Sequence, residues 1–506
     1  MGDSAGYRFV VFLTLPSVES IECMLGCLGG GHVVVPINWR WSIQEMVDAL
    51  DGLVDGEVVQ VVVDEHFETM GLTLSDDWNA MHALQVEVVR VQQLMSLCKT
   101  NKRVNDTCAN KWVLLKAPDD VAFVIFTSGT TSRPKGAMIT HDAMIFQCYN
   151  KHICCGYCDL DVYLHMAPMF HVGGLVSALA MVSVGAAHVC MPGPHFDASV
   201  ALELLRMYSC TSFIAVPTMM NDLMEVAMSK KCSLDHVERV LIGAGGLSQR
   251  TMERMATSMP RAVVYTAYGM TEACSSMTYA VAGNTREKDL GVPGSAYVGK
   301  PPRGIYMAIL APDGCIKREG RGELLTRGRH TFLKYCMRDQ PTATGTRDQH
   351  GTAWFKTGDL GCIRSMQDGT PEIWLLGRVK DMIKTGGENV SAIEVEQVVS
   401  MHPDVRECSV FGVPDSTWGE AVTVAVVLHT NHGEQPQVIR ASSRNNTMYA
   451  SIKSHCLSNG MSSYKIPKLV VVYSQQLPRN ATGKVLKQQL RQTIVSLLHE
   501  KRISKL

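Results

Sequence analysis

The chain has no excess charge of either sign, because 48 lysines and arginines balance 48 aspartates and glutamates. No overall field draws it to nucleic acid or to an anionic membrane, so polyanion binding is not its default. Its 17 cysteines have no regular spacing. With no secretory leader visible, they read as reduced thiols rather than as a disulfide framework. Long uncharged runs are scarce. One such run, Val172 to Phe196, is broken by Gly185, His188, Pro192 and Gly193. It predicts a buried helix followed by a short strand, AHVCM, and argues against a membrane span. Internal repeats and long low-complexity tracts are also missing.

What is present is enough apolar material for a large core. At 506 residues and 46% hydrophobic content, the chain predicts an ordered protein of more than one domain. From Val121 to Gly269, β-branched runs (VAFVIFT, TSFIAVP, ERVLIGAG, AVVYTAYG) alternate with helical windows such as DASVALELLRMY, where Asp197 is placed to cap. That alternation predicts a mostly parallel sheet covered by helices. Between about Gly294 and Leu376, turns such as APDG and SMQDGTPE predict a smaller β-rich layer. After Lys380, a helix (AIEVEQVVSMH), strands (ECSVFGV, AVTVAVVL, KLVVVY) and a closing helix from Val485 predict an α+β tail. The polar stretch Asn431 to Asn446 reads as a surface loop. The expected class is α/β, with a large domain over 1–379 and a smaller one over 380–506.

The stretch FTSGTTSRPKG, Phe126 to Gly136, is polar, glycine-bearing and cationic directly after an apolar strand. With a helical window starting near Thr140, it reads as a loop where a strand meets a helix, a place suited to phosphate. An ordinary P-loop requires Gly-Lys-Ser/Thr, whereas Lys135 is followed by Gly136. Taken alone, the loop is equally a polar turn.

Four further segments decide between these readings: AYGMTEACSS (Ala267 to Ser276), KTGDLG (Lys356 to Gly361), GRVKDMIKTGGENV (Gly377 to Val390) and PRNATGKVLK (Pro478 to Lys487). With FTSGTTSRPKG, in this order and spacing, they resemble the adenylate-forming family of acyl-CoA synthetases, luciferases and peptide-synthetase adenylation domains. Within that family, PINWRWS, DVYLHMAPMFHVGGLVSALAMVSVGAAHV and SSMTYA resemble the plant-type 2-succinylbenzoate–CoA ligases of phylloquinone biosynthesis.

The resemblance implies ATP, Mg²⁺ and coenzyme A acting on a small carboxylic acid, with a mobile C-terminal domain. A carboxylate would attack the α-phosphorus, release pyrophosphate and leave a mixed anhydride for a thiol to open. Fixed donors and cations must then converge on phosphoryl oxygens. On the family's pattern, Thr127, Ser128, Gly129, Thr130 and Thr131 cradle the phosphates and Lys135 adds a charge. Ser132 departs from the glycine that is usual there. The pattern makes Glu272 the metal ligand and Thr271 a donor to the α-phosphate. Gly245 and Gly246 would let adenine lie against backbone, and Tyr268 and Gly269 complete that side. Asp359 and Arg378 would hold the ribose. Lys484 would reach the reacting oxygens from the tail domain, and Lys380 matches the hinge about which that domain rotates for the thiol step. His171, Cys274 and Ser275 are the acyl-pocket candidates, His171 being equally a satisfied core histidine. The group that meets the second carboxylate of 2-succinylbenzoate is not identified.

CCGYC, Cys154 to Cys158, holds one CxxC, which supplies two ligands where zinc takes four, so a metal reading is disfavoured. Ser504, Lys505 and Leu506 form the tripeptide SKL, which a peroxisomal import receptor reads. No plastid transit peptide is visible in Met1 to Tyr7, although a plastid address stays open. The start resembles a strand, helix and strand that relatives reach after several dozen residues, which predicts a shortened N-terminus. Two alternatives remain: another peroxisomal aryl- or fatty acyl-CoA ligase of the 4-coumarate–CoA ligase kind, and a non-catalytic nucleotide-binding remnant.

Overall fold

The valine-rich opening folds as its pattern predicts, into a strand (Tyr7–Leu13), a helix (Val18–Gly29) and a parallel strand (Val33–Pro36). Ser17 caps that helix by accepting from the Ser20 amide at 3.0 Å. The computed structural model describes residues 6–53, 56–82, 86–100, 120–127, 134–247, 249–282, 295–336, 345–429, 437–440, 447–479 and 485–503.

Four sheets organise the described residues. In the first, the order is Glu87–Arg90, Gly56–Val63, Tyr7–Leu13, Val33–Pro36, Val121–Thr127, Lys135–Thr140. All of its pairs are parallel except the last. The second runs Ser275–Val281, Val263–Met270, Arg239–Ile242, Ser212–Ala215, Val162–His165, Ala187–Cys190, and only its Ser275–Val281 edge is antiparallel. Near-continuous apolar strands are what sheets covered on both faces require.

One apolar cluster joins the two sheets. Val10, Phe12, Phe123 and Ile125 of the first pack in a common core with Tyr163, Ile214 and Leu241 of the second. The helix Val172–Val184 lies within it, with Leu175 to Met181 all buried. That is why its sequence is apolar all round. Gly185, at φ 77°, ends it in a left-handed cap, and the strand Ala187–Cys190 follows. Among the described residues, no helix is long and apolar enough to cross a membrane. Asp197 caps the helix Ala198–Met207, its Oδ1 accepting from the Ser199 and Val200 amides.

The third sheet is the expected β-rich layer, antiparallel throughout, between Ala296–Gly299 and Pro371–Arg378. The fourth gathers Ile383–Thr385, Glu388–Val390, Val405–Asp415, Gly419–Leu428, Gln437–Arg440 and Leu469–Tyr473 around separate apolar clusters.

Two sequence expectations change. The phosphate-loop candidate does not lead into a helix. Lys135–Thr140 is a strand antiparallel to Val121–Thr127, with Thr127 paired to Lys135, and the two strands form a hairpin pair. The helix His141–Cys155 starts only after this strand, capped by the Thr140 side chain. The helix itself begins near Thr140 as the sequence predicts; what changes is the strand before it, where Ala137, Met138 and Ile139 are buried by pairing with Val121–Thr127. The polar stretch Asn431 to Asn446 also contains a strand, Gln437–Arg440, which pairs along the edge strand Leu469–Tyr473. There, unsatisfied edge groups override composition.

Burial holds the imidazoles of His165 and His330 down to about 3 and about 4, against an ordinary 6.5. In this situation the unfolded chain binds more protons than the folded one, so stability rises with pH between about 4 and 6.5. Thermal midpoints measured by scanning fluorimetry should therefore fall as the pH drops from 6.5 to 4.5. A midpoint that stays level across this range contradicts the burial of these rings.

Candidate active site

The site is built on one bend. The strand Val263–Met270 leaves the second sheet, makes a single 3-10 turn over Thr271–Ala273 and returns antiparallel as Ser275–Val281, with a register shift at Tyr268/Gly269. Cys274 and Ser275 reverse the chain at φ 48° and 108°. Two consecutive non-glycine residues in that region cost roughly 1–3 kcal/mol each, a strain that persists where the surroundings impose it. Gly269 is imposed as well, because a Cβ there would lie 1.8 Å from the Ser275 carbonyl oxygen.

Thr271 and Glu272 are both buried in this turn. The Glu272 carbonyl accepts from the Phe332 amide at 2.8 Å, and Oε1 of its side chain accepts from the Tyr335 hydroxyl at 2.6 Å. The segment Phe332–Cys336 then ties into the hairpin: the Met138 amide donates to Lys334, the Leu333 amide to Met138 and the Cys336 amide to Gly136. Lys135 Nζ stands 5.4 Å from the Tyr335 ring centre. Tyr335 therefore links the hairpin cation to the Glu272 carboxylate. Burial, reinforced by Glu272, raises its hydroxyl above the ordinary tyrosine range, so it remains a donor.

A second cluster forms on the same strand. The Tyr268 hydroxyl donates to Asp359 Oδ2 at 2.7 Å, and Arg378 Nε lies 3.2 Å from Asp359 Oδ1. Asp359 and Arg378 are cross-strand partners in the third sheet, so the register brings GD and GR together. Gly358, at φ 74°, makes the turn into Asp359, whose amide donates to Thr357 Oγ1. The Tyr268 hydroxyl is held protonated by burial and then by Asp359.

On the other side of the bend, Cys274 and Ser275 are buried. Gln147, from the helix His141–Cys155, donates through Nε2 to the carbonyls of Ala273 and Ser276, both at 2.8 Å, and pins the turn to that helix. His171 occupies the N-cap of Val172–Val184 without a side-chain cap bond. Burial lowers its imidazole to about 4, so the ring is neutral near pH 7. Gly245 and Gly246 follow the strand Arg239–Ile242; among the described residues other than its chain neighbours, a Cβ at Gly246 would meet no atom within 4 Å, and one at Gly245 would meet Pro217 at 3.4 Å. Lys380 lies exposed in the 3-10 turn Val379–Asp381, between the third and fourth sheets.

Ser128, Gly129, Thr130, Thr131, Ser132 and Lys484 lie outside the described residues; Thr127 and Lys135 bracket the loop, and an isolated bridge between Arg479 and Val485 brackets Lys484. Sequence reading missed Tyr335, Thr357 and Gln147. Tyr335 stands in FLKYC, which carries no glycine or motif signal, and Gln147 looks like any polar helix residue.

As a metal site, the arrangement offers one carboxylate. Among the described residues, no group of three or more His, Cys, Asp or Glu side chains could hold an ion. A lone buried Glu272 oriented by Tyr335 suits Mg²⁺ shared with phosphate oxygens and water.

Comparison with known proteins identifies the family. The AMP-binding enzyme family matches residues 4–336, and the AMP-binding enzyme C-terminal domain matches 394–484. A chloroplastic/peroxisomal 2-succinylbenzoate–CoA ligase of Arabidopsis thaliana is 34% identical, over 94% of this chain and 86% of its own. The o-succinylbenzoate CoA synthetase (MenE) of Bacillus subtilis with its acyl-adenylate intermediate OSB-AMP superposes with a TM-score of 0.72 at 25% identity, covering 96% of this chain and 88% of that one. The same enzyme with ATP and magnesium ion gives 0.73 at 26% identity, covering 96% and 90%. The chain belongs to the AMP-binding enzyme family and is an acyl-CoA ligase, joining an acid to the thiol of coenzyme A.

Proposed function

We propose that this ligase activates 2-succinylbenzoate with ATP and passes the acyl group to coenzyme A, in phylloquinone biosynthesis. The observation that carries the assignment of roles is the bend at Thr271–Ala273. It gathers Tyr268, Asp359 and Arg378 on one side and Lys135, Tyr335 and Glu272 on the other, from segments far apart in sequence. The substrate reading is supported by the likeness to the Arabidopsis ligase and to the Bacillus enzyme holding OSB-AMP.

In this reading, Asp359 accepts from both ribose hydroxyls, with Arg378 and Tyr268 fixing its carboxylate. Thr127 to Thr131 and Lys135 surround the β- and γ-phosphates, and Gly245 and Gly246 leave room for adenine. Thr271 donates to the α-phosphate. Glu272 would hold Mg²⁺, which would supply positive charge at the phosphate. A carboxylate oxygen of the acid attacks the α-phosphorus as the bond to the β-phosphate oxygen breaks, and pyrophosphate leaves. Lys484 stabilises the charge that develops on these oxygens. The thiol of coenzyme A then attacks the acyl carbon, its proton is lost and AMP departs. Rotation about Lys380 exchanges the faces of the C-terminal domain, 380–506, between the two steps. The Arabidopsis relative's double address supports a peroxisomal or plastid location, for which Ser504 to Leu506 is the candidate peroxisomal signal, read by an import receptor.

ATP- and CoA-dependent thioester formation, compared across 2-succinylbenzoate, coumarate and a medium-chain fatty acid, tests the substrate. 2-Succinylbenzoate is expected to lead in kcat/KM, and a preference for either competitor overturns the assignment. Lys484→Ala should lower adenylate formation at least about a hundredfold while sparing thiolysis of supplied acyl-adenylate; equal loss of both half-reactions removes its role. Glu272→Gln should shift the Mg²⁺ titration to higher concentration, and an unchanged curve excludes it as the ligand. Gly246→Ala should raise KM for ATP with the thermal midpoint unchanged, because its Cβ has space in the fold. A lowered midpoint with KM unaltered would make the glycine structural.

A further inference from the structure

A C-terminal domain that serves two steps has to hold one position and then leave it. Among the described residues, no apolar cluster contains side chains from both sides of Lys380. A junction without a shared core is set by its polar contacts, and such junctions move.

Two helices of the large domain supply those contacts. Pro217–Ser229 carries Asp222 and Glu225, and Gln249–Ser258 carries Arg250 and Arg254. Across the junction stand Arg479, Arg406 of the strand Val405–Asp415, and His429, whose amide donates to the Asp404 carbonyl at 3.1 Å. Arg250 Nη1 donates to His429 Nε2 at 3.0 Å. Burial first, then Arg250, Arg406 and Arg254, hold the His429 imidazole below its ordinary value against the pull of Glu225. The ring is therefore neutral near pH 7 and able to accept. Burial raises the Asp222 carboxyl above its ordinary range; Arg406 and Arg479 oppose that rise, and Glu225 adds to it. Asp222 thus faces two cations of the other domain.

The arrangement suits the first step. Pro217, at the start of the helix that carries Asp222, borders Gly245, the candidate for the adenine side. Arg479 and Val485, which flank Lys484 in sequence, are bridged to each other. By contrast, the hairpin of Ile383–Thr385 and Glu388–Val390 is exposed at Gly386, Gly387, Glu388 and Asn389. The C-terminal domain therefore turns its Arg479 side, and not this hairpin, toward the helices beside the nucleotide site.

We propose that Asp222 with Arg406 and Arg479, and Arg250 with His429, form a polar latch that holds the C-terminal domain in the adenylate-forming arrangement and opens for the thiol step. These are positioning residues, which act through the placement of Lys484. The latch rests on the two-step ligase reading above. Opening it separates charges and hydrogen bonds without breaking an apolar core, so it closes again for the next turnover.

The test uses the full chain and the acid that the parent protein turns over best, with the half-reactions read apart: ATP–pyrophosphate exchange for adenylate formation, and thiolysis of supplied acyl-adenylate. Asp222→Arg sets a third cation against Arg406 and Arg479. It is expected to lower exchange about tenfold and to leave thiolysis within about twofold. Adding Arg406→Asp restores an opposite pair and is expected to return exchange to within about threefold of the parent. A loss shared equally by both half-reactions, or no recovery in the double variant, overturns the latch and leaves the ligase intact. Arg250 is exposed, so Arg250→Ala is expected to keep the thermal midpoint while cutting exchange alone, about threefold. Exchange equal to the parent's, or an equal cut in thiolysis, removes Arg250 and His429 from the latch. Small-angle X-ray scattering of the ligand-free protein reads the same device without substrate. The radius of gyration should rise in Asp222→Arg and fall back in the double variant, and equal radii reject the latch. Should the parent exchange pyrophosphate with no acid, the ligase reading fails and scattering decides the latch by itself.

Discussion

The bend between Met270 and Ser275 is the constraint on which the site depends. A strand that has run parallel to its neighbours must turn back on itself, and it does so with the Ser275 carbonyl pressed where a Gly269 side chain would be. That close approach brings Tyr268 and Glu272, four residues apart, to different partners: one reaches the third sheet through Asp359, the other reaches the hairpin through Tyr335. Gln147 fastens the same bend from behind. The turn is strained at Cys274 and Ser275, and these three anchors hold it.

The layers explain how such distant segments meet. Two sheets share one apolar cluster with the helix Val172–Val184 inside it, and the third sheet packs against the part of the second that carries Tyr268, Ala273 and Met277. The Asp359 and Arg378 pair needs no loop to position it, since cross-strand register does so. Elements that set the site are therefore mostly strands, whose geometry is fixed by ladder hydrogen bonds rather than by side-chain choice.

Much of this was readable in the sequence where local chemistry and global fold agree. Asp197 as a cap, Gly185 as a helix end and the β-rich layer all follow from local rules. The strand Lys135–Thr140 was not readable, because KGAMIT offers a short apolar run whose partner lies across a polar loop. Gln437–Arg440 escaped for the opposite reason: its composition is that of a loop, and only the open edge of Leu469–Tyr473 makes it a strand. In the site, glycine-marked residues such as Asp359 were legible, whereas Tyr335 and Gln147 act through contacts across 63 and 126 positions, which no local pattern records.

The sealed thiols around the helix His141–Cys155 have a chemical consequence of their own. A mixed anhydride is open to any sulfur nucleophile, and sulfur attacks as the thiolate. Cys148, Cys155 and Cys274 are kept protonated by the apolar walls around them. Thiols that stay protonated in an apolar core are poor nucleophiles, so these three do not compete with the one incoming mercaptan to which the enzyme hands its acyl group.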